Sequence, residues 1–142
     1  MSTVGTILEQ KGHDVYSVTP DVMVLDALKL MADKNIGAVA VIAGGKLTGM
    51  FSERDYTRKV FLQGRASPST PVRDVMETEV VYVEPDQSAE ACMALVTEKR
   101  IRHLPVMRDG KLDGIVSIGD LMKSMIEERE FNIEQLVKYV QG

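Results

Sequence analysis

The sequence predicts a mixed α/β fold built from two copies of one β-α-β-β-α unit. Shifting the chain by 65 residues aligns residues 15–60 with 80–125 without a gap, and 14 of the 46 pairs are identical. Unrelated segments of this composition would share roughly three. Hydrophobic periodicity and turn residues also recur at the same places in both copies. One long period with only two copies indicates a duplicated subdomain rather than a solenoid.

The first half of each copy is predicted to be a short strand followed by an amphipathic helix. A proline ends each strand, and apolar residues then recur at helical spacing. The predicted strands are 16–18 and 81–83, stopped by Pro20 and Pro85, and the helices begin near Val24 and Ala89. Asp21 and Asp86 are candidate N-caps, because a carboxylate can accept hydrogen bonds from the first backbone N–H groups of a helix.

The second half of each copy is predicted to be a β-hairpin followed by a helix. Gly44-Gly45 and Asp109-Gly110 separate apolar runs, and such dipeptides favour the tight turn that needs positive φ. The four predicted strands are 38–43, 47–51, 104–107 and 112–116. A helix then starts near Glu53 or Ile118, and apolar spacing predicts helix through the tail as well.

The copies are joined by a linker rich in Gly, Ser and Pro over residues 63–71. Residues 4–8 are echoed by 72–76, so a further helix is predicted to start each half. The predicted organisation is an N-terminal helix over 1–14, units over 15–62 and 80–125, a linker and helix over 63–79, and a C-terminal helix over 126–142.

Composition argues against several classes of function. The chain carries 17 Lys and Arg against 21 Asp and Glu, a net charge of −4, and is 44% hydrophobic, as is typical of globular domains. Net negative charge argues against binding nucleic-acid polymers, and the longest apolar run, 38–43, is too short to span a membrane. Without a signal-peptide pattern, and with the single Cys92, a cytoplasmic protein is expected.

One recurring pair of residues is not explained by turns or a core alone. Ser52 with Asp55, and Ser117 with Asp120, stand where the last strand turns into the second helix. One reading is a capping box, in which both side chains satisfy free backbone groups. The other is a ligand site, since a helix N-terminus favours phosphate and a carboxylate one turn later can bind both hydroxyls of a ribose. Both readings can hold together.

A second feature is a local excess of positive charge. Residues 98–111 carry five cations against two anions, beside His103. In the first copy, the cations lie on the second helix instead, at Arg54, Arg58 and Lys59. Two readings stay open: a solvated basic face, or cations of both copies that converge on a shared phosphate site about a pseudo-twofold axis.

No motif points to catalysis or to a metal. Leu47 stands where a Walker A loop needs Ser or Thr, and no Gly-x-Ser-x-Gly nucleophile motif is present. His13, His103 and Cys92 lack the spacing of metal ligands, and Cys92 is predicted to be a packed thiol. We therefore expect neither catalytic residues nor a metal site.

With these motifs in place, the chain resembles a tandem pair of CBS domains, or Bateman module. Gly-h-h-Ser-x-x-Asp closes both copies, the second copy carries Arg102-His103-Leu104-Pro105, and the resemblance covers about residues 3–127. It is most similar to small stand-alone bacterial proteins that consist of one such pair. The resemblance implies two units packed sheet to sheet about a pseudo-twofold axis. Adenosine-containing ligands (AMP, ADP, ATP, NAD or S-adenosylmethionine) would occupy the clefts between them.

Carried over by position, the resemblance implies a role for each matching residue. Asp55 and Asp120 would accept the ribose hydroxyls, while Ser52 and Ser117 would lie against phosphate. Phosphate charge would be neutralised by Arg54, Arg58, Arg102, His103 and Lys123. The adenine slots and remaining contacts would come from Val15, Tyr16, Val18, Thr19, Ala38, Val39 and Ala40 in one site, and from Val81, Tyr82, Leu104, Pro105 and Gly119 in the other.

The function implied is a regulatory module, not an enzyme, that senses an adenosine-containing ligand and signals to an unidentified partner protein. Both Ser-x-x-Asp motifs are intact, which predicts two sites per chain. Gly37-Ala38 replaces Arg102-His103 in the first copy, so the sites need not bind equally. The tail helix, with Phe131 and Leu136, predicts a homodimer. The alternatives are a structural protein that dimerises and docks a partner without nucleotide, and a small nucleotide-using enzyme.

Overall fold

The computed structural model describes residues 2–141. Its elements in chain order are α1 (Val4–Lys11), β1 (Ser17–Val18), α2 (Val24–Lys34), β2 (Ala38–Ala43), β3 (Lys46–Ser52), α3 (Glu53–Asp55), α4 (Ala89–Lys99), β4 (His103–Arg108), β5 (Lys111–Ser117) and α5 (Ile118–Gln141). α3 continues as a wider π-type turn over Tyr56–Phe61, and a 3-10 turn spans Val72–Asp74. The mixed α/β class and the helical tail are confirmed.

Contacts divide the described residues into two units. The first unit is Asp14–Val81, and the second joins residues 2–13 to residues 82–141. The first contains the sheet β1-β2-β3 and the second the hairpin β4-β5. α1 therefore precedes the first copy in sequence but packs in the unit that holds the second copy.

The two hairpins have the same register. Ala38 pairs with Ser52 and His103 with Ser117, and both ladders are irregular at the same place, after Val41 and after Val106. Both turn residues have positive φ in each hairpin, +58° and +76° in the first and +52° and +77° in the second. Two consecutive positive φ angles are what a two-residue hairpin turn requires, so the predicted turns are confirmed.

The strand predicted over 81–83 does not form; only Val83 makes a β-bridge, to Val106. In the first copy, β1 pairs parallel with β2, and Ala40 N donates to Tyr16 O at 3.2 Å. Pro105 occupies the position that matches Ala40. Because proline has no backbone N–H, the second copy cannot make this bond, and its first strand shortens to a bridge.

The predicted N-caps Asp21 and Asp86 were wrong. α2 begins after Met23 without a side-chain cap, because linker carbonyls take its first N–H groups: Val24 N donates to Thr70 O at 2.8 Å. The Asp21 carboxylate instead accepts from Thr19 Oγ1 at 2.6 Å, which lowers the pKa of Asp21. α4 is capped by Ser88, whose Oγ accepts from a backbone N–H at 3.1 Å.

Two chain segments pack beside the hairpins. The segment just before the second copy packs against the first hairpin, and the segment just before the first copy packs against the second hairpin. In the first unit, Val72 and Val75 are buried in a core that includes Phe51. The helix predicted over 72–76 is instead a 3-10 turn, since the chain then extends so that Glu77 can pair with Met50 of β3, with backbone N–O distances of 2.8 and 3.0 Å.

In the second unit, α1 takes the matching place. Leu8 is fully buried and lies directly over Gly114 of β5. Val4 N and Gly5 N donate to carbonyls of Gln87 and Pro85, both at 2.9 Å. α1 is therefore a docked element with both backbone and apolar attachments.

Candidate functional site

The first candidate site lies where β3 turns into α3, at residues 52–55, which we call the first corner. Ser52 Oγ accepts from Asp55 N at 3.2 Å, and Asp55 Oδ2 accepts from Ser52 N and Ser52 Oγ, both at 3.0 Å. This is the capping box that the sequence offered as one reading. The other carboxylate oxygen, Oδ1, lies 3.4 Å from Lys59 Nζ.

The second corner, residues 117–120, repeats the cap and adds a partner. Asp120 Oδ2 accepts from Ser117 N at 2.8 Å, and Ser117 Oγ accepts from Asp120 N at 3.1 Å. Lys11 Nζ, from the C-terminal end of α1, donates to the same Oδ2 at 2.7 Å and to Ile115 O at 2.9 Å. The two corners therefore share a backbone design but differ in the cation that holds the carboxylate.

The electrostatics of Asp120 reflect this partner. Partial burial pushes its pKa upward, but hydrogen bonds from Lys11 and Ser117, together with the Lys11 charge, outweigh burial and leave the pKa of Asp120 below its ordinary value. The carboxylate is consequently ionised across the physiological pH range.

Each corner is tied to the residue that precedes the neighbouring strand. Glu53 N donates to Gly37 O at 3.0 Å, and Ile118 N donates to Arg102 O at 2.8 Å. These bonds, with the pairing of β2 to β3 and of β4 to β5, bring the predicted strand residues beside the predicted Ser and Asp within each unit.

Several residues predicted to contact adenine have buried side chains, which leaves their backbone groups for contacts with a ligand. Val39, Ala40 and Leu104 are fully buried inside their own units, so their side chains serve the core. Val81 is the last residue of the first unit, whereas Tyr82 is the first residue of the segment 82–141 of the second unit. These two residues, predicted to contribute to one site, therefore belong to different units. Exposed positions in the predicted set are Tyr16, Thr19, Arg54, Arg58, Tyr82, Arg102, Gly119 and Lys123, and partly buried ones are Val15, Val18, Ser52, Asp55, Val81, His103, Ser117 and Asp120.

A cationic depression of about 440 Å³ lies in the first unit, one turn beyond the first corner. Its lining residues are Arg58, Lys59, Gln63, Arg65, Asp74 and Val75. The wide π-type turn carries Arg58 and Lys59 to its rim, and such turns often occur at functional sites. Three cations against one carboxylate make the depression attractive to an anionic group.

Sequence reasoning missed Lys11 and Arg65. Lys11 and Asp120 are 109 positions apart, and no local pattern links them. Arg65 lies just past the second helix, in a segment interpreted only as a linker. An alignment of co-varying positions is the kind of signal that would have paired Lys11 with Asp120.

Two further observations concern the part of the chain that the structure describes. Across residues 2–141, no group of three or more His, Cys, Asp or Glu side chains is arranged to hold a metal ion. Over the same residues, no helix combines the length and apolar character needed to cross a membrane. Cys92 is buried, as predicted, and burial raises its pKa to about 11.

The duplicated unit with its paired corners is the architecture of a tandem domain pair. A model of the CBS domain matches residues 7–61 and 72–127. The chain therefore belongs to the CBS-domain family, as its motifs predicted, and CBS-domain pairs are regulatory and signal-transduction modules.

Comparisons with individual proteins agree with this family. The chain is 37% identical over 150 residues to the mitochondrial CBS domain-containing protein CBSX3 of Arabidopsis thaliana, covering 99% of this chain and 73% of the relative. The solved structure of a protein with CBS domains from Burkholderia ambifaria matches at 52% identity and a TM-score of 0.86, covering 89% of this chain and 95% of that one.

A more distant structure shares the fold alone. The CBS-domain pair of protein MJ0100, solved in complex with 5′-methylthioadenosine and S-adenosyl-L-methionine, matches at 19% identity and a TM-score of 0.79, covering 90% of this chain and 98% of that one.

Proposed function

We propose that this chain is a regulatory module that binds an adenosine-containing ligand at its Ser-x-x-Asp corners and signals the bound state to a partner protein. The observation that carries the proposal is the first corner, where Asp55 Oδ2 belongs to the cap and the other carboxylate oxygen, Oδ1, lies 3.4 Å from Lys59 Nζ. Lys59 also lines the cationic depression, together with Arg58 and Arg65.

The chemistry of the first corner suits a nucleotide. Asp55 would accept hydrogen bonds from the ribose hydroxyls, because a carboxylate is a strong acceptor for two adjacent donors. Arg58 and Arg65 would take the phosphates, because neither guanidinium forms an ion pair within the described residues and each has five N–H donors to offer. The backbone of the buried β2 would supply hydrogen-bonding groups for the base.

The ligand class follows from this arrangement and from the family. AMP, ADP, ATP, NAD and S-adenosylmethionine all carry the ribose and adenine that the corner would recognise. The complex of the MJ0100 pair with two adenosine compounds supports this class, although that protein shares only the fold with this chain.

A ligand panel tests the proposal. We expect at least one of AMP, ADP, ATP, NAD and S-adenosylmethionine to raise the melting temperature of the protein, since a ligand at 100 times its dissociation constant stabilises by about 2.7 kcal/mol. GTP is the control for the base. The 2′-deoxy form of the best nucleotide is the control for the ribose, and we expect it to bind about tenfold more weakly because Asp55 loses one donor.

Two variants then locate the site. Asp55→Asn should weaken binding, because a neutral amide is a poorer acceptor than a carboxylate, while Asp33→Asn changes an exposed carboxylate on α2 and should leave binding unchanged. If no panel member shifts the melting temperature of the wild-type protein, the nucleotide proposal is wrong and the interaction-protein alternative is favoured.

A second role is favoured by α5. Its last two turns present Ile133, Leu136 and Val140 with exposed fractions of 53, 64 and 83%. Together with Ile126, these residues follow a heptad spacing, which is typical of helices that pair. We propose that this face associates with a second copy of the chain, giving a homodimer whether or not nucleotide is bound.

The remaining sequence-based expectations stay predictions. CBS-domain proteins are typically regulatory rather than catalytic, and we propose the same for this chain. A cytoplasmic location is likewise proposed from the sequence pattern alone.

A further inference from the structure

The two corners differ in how their carboxylates are held. Asp55 has a lysine on its own helix, Lys59, which makes one contact at 3.4 Å. Asp120 has a lysine from a distant element, Lys11, whose ammonium makes two hydrogen bonds, at 2.7 Å to Asp120 and at 2.9 Å to Ile115 O. The aligned position to Lys59 in the second copy is Ser124, so no helical lysine stands there.

We propose that Lys11 is an internal competitor for Asp120, so that the second corner binds an adenosine-containing ligand more weakly than the first corner. This inference rests on the proposed function and adds that the two sites are unequal. Asp120 Oδ2 already accepts from Lys11 Nζ as well as from Ser117 N, so a ribose whose two hydroxyls need both carboxylate oxygens must displace the ammonium group.

The position of Lys11 makes the competition specific. Lys11 lies in the last turn of α1, and α1 is fixed to the second unit by its buried Leu8 and by backbone hydrogen bonds to residues 85 and 87. The ammonium is therefore delivered by a docked helix rather than by a mobile tail, which keeps its effective concentration at Asp120 high.

The competition is also reversible. The Lys11 side chain is 39% exposed and that of Asp120 26%, so the lysine can leave toward water when a ligand arrives. Exposed and half-exposed ion pairs are weak enough to be displaced. Lys11 consequently sets the affinity of the second corner without closing it.

The test isolates each corner. An Asp55→Asn background weakens the first corner, so that binding reports mainly on the second, and an Asp120→Asn background does the reverse. AMP, ATP and S-adenosylmethionine are titrated into both by calorimetry, with and without removal of the lysine. We expect Lys11→Met to tighten binding at the second corner about tenfold, whereas Lys29→Met, which removes an exposed lysine of α2 outside both corners, changes binding at either corner less than threefold.

Controls separate competition from damage. Lys11→Arg keeps a cation at this position and should retain the weak binding, and the thermal melt of each variant shows whether it is folded. Unchanged or weaker binding after Lys11→Met, with the first corner still binding, would overturn the competitor proposal and leave the proposed function standing. If these three compounds, and ADP and NAD tested in the same way, bind neither background nor its lysine variants, both proposals fall.

Discussion

Asp120 shows how one residue can serve the fold and a ligand at once. One of its oxygens receives the backbone N–H of Ser117 and the ammonium of Lys11, which ties β5, α5 and α1 together at a single atom. Any ligand that uses this carboxylate therefore competes with contacts that also hold the unit together. Asp55 contributes less to holding separate elements together, because the lysine beside it, Lys59, belongs to its own helix.

A pH experiment measures what the Lys11 contact contributes to stability. The folded pKa of Asp120 lies below its ordinary 3.8, so the contact stabilises the protein fully above that pH and is lost as the pH falls through the folded pKa. We expect Lys11→Met to be less stable than wild type by a constant amount between about pH 5 and 7. The difference should shrink as the pH drops below 3.8.

Urea unfolding followed by circular dichroism at a series of pH values gives this difference directly. Lys11→Arg serves as the control, since it keeps the charge beside Asp120. A difference that stays the same in strong acid would show that Lys11 stabilises through its aliphatic stem rather than through the carboxylate.

At the residue scale, the sequence predicted the corners but not their partners. The Ser-x-x-Asp spacing is local, so a capping box could be recognised from four residues. Lys11 could not, since only the folded chain brings it to Asp120. The N-cap of α2 was mispredicted because of another contact between distant residues. The backbone carbonyl of Thr70, in the linker, takes the place of a side-chain cap.

At the scale of elements, one glycine is repeated at equivalent positions of the two copies, as Gly49 of β3 and Gly114 of β5. These two glycines form a matched pair for a substitution test. A Cβ at Gly49 would lie 2.8 Å from the backbone O of Glu77, whereas one at Gly114 would lie 2.7 Å from a methyl of Leu8. Backbone yields less easily than the end of a side chain. We expect Gly49→Ala to cost about 1–3 kcal/mol and Gly114→Ala at most about 1 kcal/mol.

Urea midpoints of the two variants, with unchanged slopes, measure this order. Gly45→Ala, with φ +76° and nothing within 4 Å of the added Cβ, serves as a control for backbone strain without a clash. Equal losses at Gly49 and Gly114 would mean that β3 and the Glu77 segment move apart as readily as Leu8 repacks.

The hairpins were predictable because their signals are short-range. Two dipeptides with positive φ fixed both turns, and the apolar runs on either side set the registers. Which copy each preceding segment packs against was not predictable. The similarity between residues 4–8 and 72–76 indicates that these two segments have equivalent roles. It does not indicate which hairpin each segment packs against.

At the scale of the whole molecule, self-association can be tested on the intact chain. Light scattering is expected to give twice the chain mass of 15.7 kDa. Ile133→Glu should reduce the mass to that of one chain, because it buries a charge in the proposed seam. Gln135→Glu adds the same charge to the same helix outside the heptad positions and should leave the dimer intact.

A wild-type protein that scatters as one chain would contradict the homodimer and leave the apolar face of α5 for another partner. A dimer that Ile133→Glu does not disperse would place the contact elsewhere. Either result is independent of nucleotide binding, so the two proposed roles can be judged separately.

The packing of α1 also bears on the order in which the protein becomes complete during synthesis. α1 leaves the ribosome before both copies of the repeat, yet the carbonyl of Ile115 that accepts from Lys11 is made 104 residues later. At typical elongation rates this gap lasts roughly 5 to 20 s, and a helix of eight residues is not stable alone in that time. The first unit can form while translation continues, but the second corner gains its lysine only after β5 and the start of α5 have been made.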